Sequence, residues 1–406
     1  MDYKKLASKY ETPLYIYDID EIKSRYLKIK EQFFARKSLI CFALKANSNL
    51  TVLKELAMSG AGFDCVSLNE IKRALLVGAK PYKIIFSGVG KSDFEIKEAL
   101  KAKILMINVE SFAELKRVEV VAKELGVVAN MSVRVNPNID AKTHPYITTG
   151  LSKDKFGVSI ESAKELYIYA KKSDYLNPIG IHFHIGSQIL DTTPIIDAAK
   201  VVSNLVSSLK SIDIELKFFD VGGGLGVRYK DEVEPDLYSY AQGILAALNG
   251  KDITIVAEIG RYICANAGVF LTKVLYEKQN EQKRFVIVDG AMNDLIRPSL
   301  YGAYHKIESL KGGDSSLCDV VGPICESGDF LGKDIELSHL NGGDLLLVKG
   351  AGAYGFTMSS NYNSRARVAE VGIKDGKDFL IRKRESFDDL IKNELCCLEG
   401  GCFEKH

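Results

Sequence analysis

The sequence predicts a parallel (β/α)8 TIM barrel joined to an antiparallel β domain that also takes the N-terminal strand. Three observations carry this. Apolar runs suited to buried strands recur at 40–44, 62–66, 84–87, 104–107, 128–135, 179–184, 217–221 and 253–258. Helical patterns at 69–77, 92–101, 111–125, 161–172, 194–211 and 236–248 lie between most of them, and eight strands is the count of the barrel. After residue 260 the alternation stops, and 267–276, 284–289, 317–320, 344–348 and 377–382 read as strands with Gly-rich turns. An early alternating stretch at 13–18 precedes the barrel and can pair with the late strands. A doubly wound open sheet would share the alternation; the count favours the barrel. The expected domains are therefore 20–262 for the barrel, and 1–19 plus 263–406 for a discontinuous β domain.

Each element has local support. Residues 11–19 alternate as a strand does, and Asp20 reads as the N-cap of a helix running to about residue 36. Residues 136–157 are rich in polar and turn-forming types and read as a long loop beyond the fifth strand, at the barrel end where chemistry is usually placed. The basic run 382–384 reads as a solvated strand end.

Composition narrows the function classes. Lys+Arg 54 against Asp+Glu 53 leaves no global field to gather nucleic acid or an anionic membrane, so neither is an expected partner. No apolar run approaches the roughly 20 residues of a membrane helix, and a soluble, cytoplasmic protein is expected. The eight cysteines lack the paired spacing of a zinc site, and most read as core thiols; Cys396, Cys397 and Cys402 lie in an exposed tail, and Cys325 stands in a polar run. A small-molecule site fits this balance.

The chemistry is carried by the polar ends of the apolar strands. The first ends in Lys45, where desolvation would favour the neutral amine able to form a Schiff base with a carbonyl compound; taken alone, such a lysine is better read as snorkelling into water, and the other strand ends tip the balance. The sixth ends in His182-Phe-His184-Ile-Gly-Ser187. The two histidines share a strand face, but no third ligand lies near them in sequence, so an imidazole stacked on a flat cofactor is preferred to a metal pair. The seventh ends in Asp220-Val-Gly222-Gly223-Gly224, matching the phosphate site built by late loops of this fold, or a tight turn. The eighth ends in Glu258-Ile-Gly260-Arg261. A buried acid there needs a partner, which a pyridinium N–H or Arg261 itself would supply. Lysine, flat ring, phosphate cradle and buried acid together are the requirements of pyridoxal 5'-phosphate.

With these, the motifs Phe42-Ala-Leu-Lys45-Ala-Asn47, Met292-Asn-Asp-Leu-Ile-Arg297-Pro, Cys325-Glu326-Ser-Gly-Asp329 and Ala353-Tyr354-Gly355 stand in an order and spacing that resembles the diaminopimelate decarboxylase family, of the alanine-racemase-like fold. The resemblance spans about residues 10–385. It implies a homodimer with shared active sites, in which Lys45 carries the cofactor and His184 stacks on its ring. Ser187 and Gly222, Gly223 and Gly224 would hold the phosphate with Gly260, Glu258 would face the ring nitrogen, and Asp64 would join the cofactor contacts. It implies further that Cys325 supplies a proton from the neighbouring subunit, with Glu326 on the substrate ammonium. Arg261, Arg297 and Tyr301 would bind substrate carboxylate, and Tyr354 would lie near cofactor and substrate. The family's usual proline after the strand-eight acid is Ile259 here.

An acid opposite the ring nitrogen suits decarboxylation better than racemisation, because a protonated ring withdraws electrons more strongly. Glu326 with Arg261 and Arg297 offers both signs of charge, as meso-diaminopimelate requires. A decarboxylase of ornithine, arginine or carboxynorspermidine is the alternative on the same fold, and a catalytically silent regulatory homologue is a second.

Overall fold

The structure, a computed structural model, describes residues 1–140, 149 and 155–398, without the side chain of Cys396. Most of the loop expected at 136–157, and Cys402, lie outside the described residues. The chain divides into two compact units, one of Met1–Asp20 with the chain from Ala265, the other of Glu21–Cys264.

In the second unit eight parallel strands close a barrel in chain order: β2 (Ser38–Ala43), β3 (Gly62–Cys65), β4 (Ile84–Phe86), β5 (Met106–Val109), β6 (Ala129–Arg134), β7 (Leu176–His182), β8 (Phe218–Asp220) and β9 (Thr254–Ile259). Closure is made by β9 pairing with β2, with Cys41 opposite Glu258. The open-sheet alternative is thereby excluded. Cys41, Ile85, Leu105, Met106, Ile179 and Val256 form a common apolar cluster, and each such side chain stabilises by about 1.5–3 kcal/mol when fully buried. Polar side chains fix the helix starts: Ser67, Ser111 and Asp236 cap the helices Leu68–Leu76, Phe112–Leu125 and Leu237–Ala247, and Ser92 with Glu95 forms a capping box on Asp93–Lys101.

Several boundaries differ from expectation. The sixth barrel strand stops at His182 rather than 184, so Phe183–Ser187 is loop. The first helix after β1 (Leu14–Asp18) begins at Ile19, which places Asp20 inside it rather than at its cap, and it ends at Gln32. A helix at Leu50–Met58, capped by Asn49, was not expected from the pattern.

The first unit holds a nine-stranded sheet. Its strands are β1, β10 (Gly268–Gln279), β11 (Arg284–Val288), β12 (Ile307–Ser309), β13 (Ser315–Val321), β14 (Phe330–Ser338), β15 (Leu345–Val348), β16 (Ala369–Lys374) and β17 (Lys377–Arg382). The N-terminal strand does join it, between β10 and β16. The sheet is mixed rather than purely antiparallel, since β1 runs parallel to β16 and β11 to β13. β14 escapes a pattern search because Lys333, Asp334 and Glu336 face solvent and its pairing with β13 is irregular, with Asp334 at φ 53°. Leu6, Leu14, Ile16, Leu271, Leu347 and Val371 form an apolar core in this unit.

Candidate active site

The barrel gathers its strand-end polar residues because parallel strands in register deliver matching positions to the same level. His182 lies opposite Asp220, and Ala43, two residues before Lys45, lies opposite Asp64. Lys45 follows β2 in a single 3-10 turn, Leu44–Ala46. Its Nζ lies 2.8 Å from Asp64 Oδ2, and the side chain is 39% exposed. The amine is thus a paired ammonium at the barrel mouth, not the desolvated neutral amine expected from the strand end alone. The attraction of a buried acid outweighs the cost of removing the amine from water.

Glu258 is buried. His182 Nε2 lies 3.2 Å from its Oε2, and Ser87 Oγ donates to its Oε1 at 3.3 Å while accepting from Asn108 Nδ2 at 3.1 Å. Burial alone would raise its pKa, but His182 and Lys45 outweigh it and hold the carboxyl well below the usual carboxylate range. The neighbouring acids go the other way. Burial and the Glu258 charge raise Asp64, against the pull of Lys45, and the same two causes raise Asp220 well above its ordinary value. Like charges in a low-dielectric interior oppose one another's ionisation: Glu258 keeps its charge beside His182, Asp64 has the Lys45 amine as its counter-ion, and Asp220 is pushed toward its neutral form.

His184 Nδ1 accepts the Gly223 N–H at 3.1 Å, which leaves the proton of the neutral ring on Nε2. Desolvation, then the charges of Arg134 and Lys45, depress its pKa well below 6.5, so the ring is neutral and flat-faced. The two histidines therefore have separate tasks, one on Glu258 and one on the glycine turn.

The glycine run is required sterically. A Cβ on Gly222, Gly223 or Gly224 would fall 2.4, 2.1 or 2.6 Å from the carbonyl oxygen of Phe183, Glu258 or Gly186. The N–H groups of Gly222 and Gly223 are directed to Asp220 and His184, so these two serve to pack strand ends together. Beside them Arg261 Nη2 donates to Ser187 Oγ at 3.0 Å and Nη1 to Tyr229 OH at 2.9 Å. A Cβ on Gly260 would meet Ala46 and Ala43 at 2.9 and 3.2 Å, which ties the strand-eight end to the lysine turn.

These residues fit pyridoxal phosphate. An ionised carboxylate sits within the barrel, an amine stands at its mouth, and a glycine turn lies next to an arginine and a serine. Asp64 Oδ1, Asp220 Oδ2 and His182 Nδ1 are buried and find no hydrogen-bond partner among the described residues. β8 and β9 also bring Asp220 and Glu258 beside His182, with one polar atom of each within 4.8 Å of the others; His182 Nε2 lies on Glu258 and the Gly222 N–H on Asp220, so the three form an internally bonded cluster rather than a set of open ligands.

The other flagged residues lie in the first unit. Cys325 is an exposed free thiol whose backbone N–H donates to Asn363 Oδ1. The adjacent Glu326 carboxylate accepts from Tyr362 OH at 2.9 Å. Arg297 is buried, its Nη1 2.8 Å from His305 Nε2, while His305 Nδ1 donates to Lys349 O. Tyr301 closes the short helix Arg297–Tyr301. Tyr354 is held at φ 57°, a left-handed conformation costly for a bulky residue.

Sequence reasoning passed over Asp220, Ser87, Asn108, His305 and Tyr229. Only Asp220 carried a signal, as an acid at a strand end directly before the glycines. The others are ordinary polar residues whose relevance depends on neighbours distant in sequence.

Comparison with known proteins agrees with this geometry. Residues 19–265 match the family model for the pyridoxal-dependent decarboxylase, pyridoxal binding domain. The chain is 59% identical over 396 residues to the diaminopimelate decarboxylase of Campylobacter jejuni, covering 97% of this chain and 98% of that one. It superposes on the crystal structure of diaminopimelate decarboxylase from Helicobacter pylori complexed with L-lysine with a TM-score of 0.95 at 54% identity, covering 98% and 100% of the two chains. The enzyme from M. jannaschii in complex with L-lysine gives a TM-score of 0.92 at 38% identity, over 97% and 94%. Among the described residues no helix is long and apolar enough to cross a membrane. Shared sequence over nearly the full length and a shared architecture lead to one conclusion: the chain belongs to the diaminopimelate decarboxylase family of pyridoxal-dependent decarboxylases.

Proposed function

We propose that this chain decarboxylates meso-2,6-diaminopimelate to L-lysine and carbon dioxide, the last step of lysine biosynthesis, in the cytoplasm and as a homodimer. The observation that carries the reading is the joint placement, in one barrel, of the Lys45–Asp64 pair and an ionised Glu258. When bound, pyridoxal phosphate supplies the electron sink for the pair left by the departing carboxylate.

The residues divide the remaining work. Lys45 would be the amine that holds the cofactor, and Asp64, 2.8 Å from its Nζ, would take up and return the ammonium proton. Glu258, kept ionised by His182, holds a proton on the ring nitrogen and so keeps the ring electron-withdrawing. His184 covers the ring face. Ser187, Arg261, Gly260 and, of the 222–224 turn, Gly224 would bind the phosphate end, since the Gly222 and Gly223 N–H groups are engaged by Asp220 and His184. The exposed Cys325 thiol donates the proton that replaces the carboxylate, acting on the barrel of a second copy, with Glu326 on the distal ammonium and Arg297 and Tyr301 on a carboxylate. Tyr354 would contact cofactor and substrate, and its left-handed backbone supports a functional position.

The test is product identification. Incubated with meso-diaminopimelate, the purified protein should release carbon dioxide and L-lysine, and Lys45→Ala should lose both this activity and the visible absorption of the held cofactor. Faster release from ornithine or arginine would assign the substrate to the alternative class.

A further inference from the structure

Asp220 is the unexplained acid of the barrel interior. It is fully buried, and one of its oxygens is used locally, since Oδ1 accepts the Gly222 N–H at 2.9 Å. Oδ2 finds no donor among the described residues. One polar side-chain atom of each of Asp220, Glu258 and His182 lies within 4.8 Å of the other two, and His182 Nε2 is engaged by Glu258. Two adjacent carboxylates offer only acceptors to each other, and a buried acceptor without a donor is costly. The groups acting on Asp220 from the surrounding elements are Glu258, Asp64, Cys41 and Tyr240 as well as His182, and none of the first four brings a positive charge.

We propose that Asp220 is a neutral carboxylic acid whose Oδ2–H donates a hydrogen bond to Glu258, making it a positioning residue that aims the Glu258 charge at the bound cofactor. One proton then satisfies both acids. Glu258 gains a donor beside His182 and Ser87 and keeps its negative charge, while the Gly222 N–H on Oδ1 fixes which Asp220 oxygen carries the proton. The direction of the two pKa shifts, Asp220 up and Glu258 down, agrees with this division. Aspartate at this position would accordingly join the strand-seven glycine turn to the strand-eight acid through a single shared proton. Only the consequence for the cofactor rests on the reading of Glu258 given above; the location of the proton does not.

Infrared spectroscopy of the full chain, with and without cofactor, tests it. At neutral pH a protonated carboxyl stretch should be present, should shift in protein made with aspartate labelled with heavy carbon at its carboxyl, and should lose one component in Asp220→Asn. In Glu258→Gln that component should remain but move to higher frequency, because an amide is the weaker acceptor. A spectrum unchanged by both substitutions, or a component lost only in Asp64→Asn, overturns the proposal. In a second arm, Asp220→Ala should weaken cofactor binding about five- to tenfold, the effect of one hydrogen bond, and Asp220→Asn, which keeps a donor, should restore most of it. Equal weakening by Asn and Ala would show that charge rather than donation matters and would also overturn it. If the infrared components behave as expected but cofactor affinity moves in neither variant, the proton assignment stands and the role of Glu258 toward the cofactor fails.

Discussion

Replacing Gly223 by alanine isolates the packing of the glycine turn from its conformation. Gly222 and Gly224 have φ of 65° and 106°, where any side chain is strained, but Gly223 does not lie in that region. Its added methyl would therefore act by contact alone. The Cβ would lie 2.1 Å from the carbonyl oxygen of Glu258, about 1.3 Å inside ordinary van der Waals contact, and the obstacle is the backbone of barrel strand β9. Relief requires the turn or the end of β9 to move. Overpacking of this kind costs about 1–3 kcal/mol, and the upper end is expected because Glu258 N–H also donates to Gly222 O at 2.7 Å. A shift of the β9 end would carry the Glu258 carboxylate away from His182 and lower cofactor affinity about tenfold, the worth of a lost charged hydrogen bond. Urea unfolding and cofactor titration by visible absorbance measure the two effects. Gly90→Ala is the control, since nothing lies within 4 Å of its Cβ and its φ is not in the left-handed region; it should stay within about 0.5 kcal/mol of the parent. A Gly223→Ala protein equal to the parent in both measurements would refute the packing role assigned to the turn.

Three further outcomes follow from buried polar groups. His305→Ala should raise KM for the substrate more than it lowers kcat, because Arg297 loses the acceptor 2.8 Å from its Nη1; an unchanged KM would separate Arg297 from carboxylate binding. Burial raises the Asp294 carboxyl to about 7. The folded state then binds the extra proton, so stability should fall as pH rises from about 4 to 7, by about 4 kcal/mol at about 1.36 kcal/mol per unit, and Asp294→Asn should flatten that slope in urea titrations at several pH values. Tyr167→Phe removes an OH that donates to Gly180 O at 2.6 Å and accepts the Val133 N–H at 3.3 Å. A loss of about 1–3 kcal/mol is expected from leaving these barrel groups unpaired, measured by thermal or urea denaturation.

What the sequence alone determined about this protein is its architecture and the chemical character of its strand ends. The reason is local: eight apolar runs alternating with helical patterns leave few topologies, and Lys45, the 222–224 glycines and Glu258 each follow a strand that must be buried. Arg297, Cys325 and Tyr354 stood out only through the resemblance of their motifs to the family, since no local pattern marks their roles. Tertiary structure decided how those groups are charged and who holds them. Lys45 reads as a costly lone amine until β3 sets Asp64 beside it, and Glu258 stays ionised because β7 supplies His182. Asp220, Ser87 and Asn108 acquire meaning only through closure of the barrel, and the mixed sheet of the other unit depends on β1 lying parallel to a strand some 355 residues later. Periodicity along a chain reports which face is buried, whereas a pKa or a hydrogen bond depends on which distant residue shares that burial.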